Sequence, residues 1–141
     1  MRYLLPLAFL AAAAVAADAG TITYACAYTE SVSPEGRRNE KDFHLKFIHD
    51  TISRETIMIG NMGMTPIEVV NGTYGVTFIE KLGTGAVQTT TVDKAGNTVH
   101  SRNTMMSDGL DTSGLKEPGI FPSQYYGKCS VQVTDPFGTQ Q

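Results

Sequence analysis

Short runs of alternating apolar and polar residues recur along the chain from Thr21 onward, each bounded by glycine, proline, asparagine or aspartate. In Thr21–Thr29, Ile22, Tyr24, Cys26 and Tyr28 share one face by the two-residue period of an extended strand. Phe43–Asp50 repeats the pattern, with Phe43, Leu45 and Phe47 alternating against His44 and Lys46. Glu55–Ile59 precedes the turn Gly60-Asn61-Met62-Gly63, and Pro66–Val70 ends at Asn71-Gly72, a strong hairpin dipeptide. Tyr74–Leu82, Ala86–Val92 and Thr98–Met106 follow. Gln124–Val133 closes the series with Tyr125, Cys129, Val131 and Val133 on one face. These runs are rich in β-branched and aromatic residues, and none has a helical period. About eight strands at nearly regular spacing predict an all-β fold: a small antiparallel meander, closed into a barrel or barrel-like. Tyr24, Phe43, Phe47, Tyr74, Phe78 and Tyr125 are the side chains expected to fill it.

Two stretches lack the alternation. Ser31–Asp42 is polar and charged and reads as a loop. Ser107–Ser123 reads as a long connection without secondary structure, a kind that is uncommon in compact domains and often functional. Leu110, Leu115, Ile120 and Phe121 make it more apolar than a fully solvated loop requires, and Tyr126 lies beside it on the outward face of the last strand. These five residues, with the strand end Gln124–Tyr126, form the expected recognition surface.

The first residues follow another rule. Arg2 precedes an apolar stretch of about 15 residues, too short to span a bilayer but long enough for a signal-peptide core. Small residues at Ala17-Asp18-Ala19 then offer a cleavage site, so residues 1–19 are expected to be removed, leaving 20–141 as one domain in the periplasm or outside the cell. No later segment is apolar enough to span a membrane as a helix. The leader carries Arg2 and Asp18 together, so the net charge of −3 is unchanged by its loss. A mildly acidic chain without a basic cluster has no footprint for nucleic acid, since Arg37-Arg38 is followed at once by Glu40, Lys41 and Asp42. The expected partner is a protein or small ligand of the cell envelope.

In an oxidising compartment the two cysteines, Cys26 and Cys129, read as one disulfide. Closing a loop of roughly 100 residues would stabilise by up to ~4.7 kcal/mol in the chain-entropy model. Because a bridge needs nearby Cα atoms, the first and last strands are expected to be neighbours, as in a closed barrel.

Catalytic patterns are sparse. His44, His49 and His100 are the three histidines, and each reads as a surface or edge residue. His44 and His49 fall on opposite faces of one strand, as do His100 and Ser101, which disfavours a shared metal site and a base–nucleophile pair respectively. Asp108 and Asp111 read as a solvated loop, the methionines as core filling, and Asn71-Gly72-Thr73 as a hairpin turn although it matches a glycosylation acceptor. No metal, cofactor or catalytic residue is expected. The leading function is a binding or interaction module that is not an enzyme. The alternatives are inhibition of a cell-wall hydrolase, or an enzyme whose site assembles from distant residues.

The segments Val87-Gln88-Thr89-Thr90-Thr91, Val99-His100-Ser101-Arg102 and Pro122-Ser123-Gln124-Tyr125-Tyr126-Gly127-Lys128-Cys129 resemble short exported proteins of marine and phototrophic proteobacteria. That resemblance covers roughly the C-terminal half and implies a bacterial periplasm, but no mechanism. The plan is also similar to that of the periplasmic inhibitors of C-type lysozyme: small eight-stranded barrels with cysteines near both ends. Their inhibitory loop carries a serine-glycine-x-x-tyrosine motif. Here Ser113-Gly114-Leu115-Lys116 is followed by Glu117, so the tyrosine is missing.

Overall fold

The computed structural model describes residues 20–110 and 116–134, with side chains over 20–105 and 119–134. The expected leader, residues 1–19, lies outside the described residues. The strands are β1 (Thr21–Ser33), β2 (Gly36–Asp50), β3 (Thr56–Gly60), β4 (Gly63–Pro66), β5 (Glu68–Asn71), β6 (Gly75–Lys81), β7 (Val87–Asp93), β8 (Asn97–Leu110) and β9 (Lys116–Thr134). All pairings are antiparallel, in the order β4-β3-β2-β1-β9-β8-β7-β6-β5, and the sheet curls into a nearly closed barrel.

Closure happens in two places. β1 and β9 pair over most of β1, from Thr21↔Thr134 to Val32↔Gln124. The two ends of the strand order, β4 and β5, are consecutive in sequence and joined by Ile67, whose N–H donates to the Thr56 carbonyl at 3.0 Å. β4 and β5 therefore act as one bent strand that pairs first with β3 and then with β6. The break falls at Ile67, directly after Pro66, which has no N–H to give a ladder. This bent strand is why the eight runs expected from the sequence become nine elements.

The predicted parity holds through the core. Cys26, Tyr28, Leu45, Phe47, Met58, Val76, Phe78, Val92 and Cys129 form one buried cluster, with Tyr24, Phe43 and Tyr125 packed against it. Phe47 and Phe78 stack at 4.2 Å between centroids, and Tyr24 meets Phe78 edge-on at 5.1 Å. Tyr74 is an exception among the expected core fillers: it lies in the turn before β6 and is 84% exposed. Val131 and Val133 share the parity of Cys129 but are also exposed. β9 runs there past its last β8 partner, at Lys128, and is paired with β1 alone.

The two expected loops are corrected. β1 continues to Ser33 and β2 begins at Gly36, so Ser31–Asp42 is mostly a tight hairpin whose turn has Gly36 at φ +113°. Ser107–Ser123 is likewise mostly strand, with Met105↔Ile120, Met106↔Gly119 and Leu110↔Lys116 in register. The β7 ladder ends at Gln88↔Arg102 and the β1 ladder at Val32↔Gln124, so residues beyond Arg102 and before Gln124 form a two-stranded ribbon standing past the barrel wall. A register shift between Met106 and Gly109 breaks the two-residue period there.

A second irregularity positions the interior. β1 bulges between Tyr28 and Glu30, and the inward parity changes from Tyr28 to Ser31. Opposite the bulge sits Gly127, where an added Cβ would lie 2.0 Å from the Ala27 carbonyl oxygen. Gly127→Ala is therefore expected to force the β1 and β9 backbones apart and cost about 1–3 kcal/mol. Urea denaturation checks this, and an unchanged midpoint would mean that the bulge does not hold β1 against β9.

Candidate functional site

β8 sends Thr98, His100, Arg102 and Thr104 to the inside at two-residue spacing, a polar stripe climbing from the core to the rim beneath the ribbon. Thr98 and His100 are each 3% exposed. The His100 ring lies 5.9 Å from Tyr28, 5.7 Å from Phe43 and 5.9 Å from Tyr125, and its Nδ1 shares a 2.8 Å hydrogen bond with Thr90 Oγ1. Burial, helped by the nearby Arg102 charge, pushes the imidazole pKa down to about 4, so the ring is neutral at neutral pH. The surface or edge placement expected for His100 is thus corrected: its parity is that of the interior. Ser101 faces the other way, and Thr90, 2% exposed, is too enclosed to meet a substrate.

One step higher, the Arg102 guanidinium carbon sits 5.8 Å from the centroid of the Tyr125 ring. Its Nε is buried without a hydrogen-bond partner. Glu80 lies close enough for the Arg102 charge to matter, yet desolvation dominates and raises its carboxyl above the ordinary range. Tyr28 Oη and Thr98 Oγ1 are also buried without a partner. Burial raises the Tyr28 pKa above the ordinary tyrosine value. Among the described residues, every buried side-chain atom left unpaired is thus on this stripe or faces it. Such atoms are costly and call for a specific reason.

The stripe opens into a cavity of about 220 Å³ at the barrel mouth. β1 contributes Ser31, β2 contributes Arg38 and Glu40, β8 contributes Arg102 and Thr104, and β9 contributes Phe121, Ser123 and Tyr125. Ser31 Oγ donates to Glu40 Oε1, and Arg38 pairs with Glu35 at the rim. A wider recess of about 720 Å³ lies at the seam beside β5, lined by His49, Arg54, Ile67 and Asn71 among others. No unpaired buried polar atom lines it.

The five residues expected to form one recognition surface are divided by the strand pleat. Phe121 turns toward the mouth beside Ser123 and Tyr125. Ile120 faces outward, 67% exposed, opposite Met105, which is 47% exposed. Tyr126 also faces outward, and its hydroxyl donates to Gln124 Oε1 at 2.6 Å. Leu110 ends β8 opposite Lys116, while Leu115 lies outside the described residues, as do Ser113 and Gly114 of the serine-glycine pair. Ser123 and Tyr125 fall within the stretch expected to recognise a partner, whereas His100, Arg102, Ser31 and Glu40 are the residues that sequence reasoning missed. The signal was present in the parity of Thr98, His100, Arg102 and Thr104, but a face that polar does not read as interior.

Cys26 and Cys129 are bonded, as expected, and are direct register partners with Cα atoms 3.9 Å apart. They are 2% and 9% exposed. Among the described residues no three or more His, Cys, Asp or Glu side chains gather as a metal set, and no helix is long and apolar enough to cross a membrane. No family model, curated protein or solved structure matches the chain.

Proposed function

We propose that this chain is an exported protein of the periplasm or cell exterior that works by binding rather than catalysis, and that it binds at the barrel mouth. The observation that carries this reading is the convergence there of polar and aromatic side chains from four strands above a polar stripe with unpaired buried atoms on it and facing it. The groups needed for turnover do not support an enzyme. The neutral imidazole is sealed beneath three rings, and its hydroxyl partner is equally enclosed. The buried disulfide is compatible with an oxidising compartment.

Native mass spectrometry of protein purified from periplasm tests the reading. Wild type should carry a co-purifying mass, and Thr104→Trp, which fills the rim from β8, should lose it while keeping the far-ultraviolet dichroism of the barrel. A wild type free of any adduct, or an adduct that survives in the folded Trp variant, overturns the proposal.

A further inference from the structure

Resting on that reading, we propose that the mouth takes a small carboxylate carrying an apolar or aromatic body, with the carboxylate on Arg102 and the body against Tyr125 and Phe121. The charges at the mouth are unequally satisfied. The Glu40 carboxylate accepts from Ser31, and Glu35 is paired with Arg38. The ion pairs among the described residues are Arg37–Glu30, Arg38–Glu35 and Lys81–Glu68, and Arg102 belongs to none of them. Arg102 is therefore the charged donor at the mouth that the described residues leave unanswered, with its Nε buried and unpaired. A guanidinium is weakly hydrated and offers a planar fork of donors that matches a carboxylate in two parallel bonds. Glu80 does not fill that role, because it makes no ion-pair contact with Arg102 among the described residues.

The surroundings specify the rest of the ligand. Ser123 and Thr104, both hydroxyl-bearing, line the same cavity as Arg102, which suits an oxygen anion. The Tyr125 ring already lies against Arg102, and Phe121, two positions before Ser123 on the same face of β9, gives a second aromatic wall. A cavity of about 220 Å³ admits a body about the size of one large side chain, not an extended polymer. Both hairpins, β1–β2 and β8–β9, contribute residues to its lining.

Nitrogen-15 correlation spectra of the purified, oxidised protein, titrated with phenylacetate, phenylacetamide and phenethylammonium, test the assignment. Phenylacetate should shift the Arg102 Nε–H and the Ser123 and Tyr125 amides saturably. It should bind at least tenfold more tightly than the amide of the same shape, and at least tenfold more weakly to Arg102→Gln. Equal binding of phenylacetamide or phenethylammonium at these resonances overturns the carboxylate while leaving the mouth as the binding site. No saturable shift there with any of the three overturns the ligand class, and the co-purification experiment then judges the mouth separately. If Arg102→Gln loses its folded spectrum, Arg102→Lys takes its place. It keeps the charge without the fork and should bind more weakly than wild type, and binding equal to wild type overturns the proposal.

Discussion

Replacing Cys26 and Cys129 together by alanine should lower the unfolding free energy by about 2–5 kcal/mol while leaving the barrel folded. The loss is expected to be large because of where the bridge sits. It joins positions separated by 103 residues, so nearly the whole described chain lies within the loop that it closes. In the unfolded chain that cross-link removes a large share of the possible conformations. The folded state needs it less, since the same two strands are held by a ladder from Thr21↔Thr134 to Val32↔Gln124. Alanine is the appropriate replacement, because a serine pair would leave two hydroxyls in the apolar cluster. Urea denaturation of the oxidised wild type and the double variant measures the difference. A gap below about 1 kcal/mol would show that the ladder alone defines closure, and that the unfolded chain is already compact.

Acidification should cost a comparable amount through one side chain. The folded pKa of His100 is about 4, below the ordinary histidine value of 6.5, so the folded protein resists protonation where the unfolded chain accepts it. The stabilisation relative to acid is complete above pH 6.5 and is lost as pH falls through the folded pKa, a total of about 3 kcal/mol. Other groups titrate nearby. Asp93 and Asp50 have lowered pKa values, from the Asn97 side chain and the Ser53 and Ile52 backbone donors respectively, and they act at lower pH. Glu80 is raised, so its contribution has the opposite sign and favours the folded state as pH falls through its folded value. The clean measurement is therefore a difference. Wild type and His100→Gln, which keeps a group able to bond Thr90, are compared by urea denaturation between pH 7.5 and 4. The wild type should lose about 3 kcal/mol more than the variant across that window. Parallel profiles would mean that the imidazole is not sealed in the folded state.

The parts of the fold that could be read in advance are those where a buried face imposes a two-residue period. Ile22, Tyr24, Cys26 and Tyr28 on β1, and Phe43, Leu45 and Phe47 on β2, show that period plainly, and the cysteines named the neighbouring pair. Where the inward face is polar or the register shifts, the period does not show as apolar alternation. The ribbon of β8 and β9 is strand by backbone pairing alone, and the Ser31–Asp42 hairpin carries charges toward the mouth instead of apolar groups. The bent β4–β5 strand reads in sequence as a turn and one short strand, because what divides it is a change of partner across Ile67 and not a change of composition. The candidate site was hidden for a related reason. Residues that serve a polar interior look, one at a time, like residues that serve a surface. Thr98, His100 and Arg102 are separated from surface residues only by sharing a parity, and by the neighbours that the barrel brings to them.

The pairing of Thr21 with Thr134 has a practical consequence for handling this molecule. β1 runs from that pair toward Ser31 and Ser33 at the mouth, so residues 21 and 134 lie side by side at the far end of the barrel. A tether attached to either one suspends the barrel with its opening pointing away from the support, which suits a sensor chip or a display scaffold. A short peptide fusing residue 134 to residue 21 would make the backbone circular. The ring could then be reopened at Asn61-Met62, the exposed turn between β3 and β4, to give a permuted chain with its new ends in solvent.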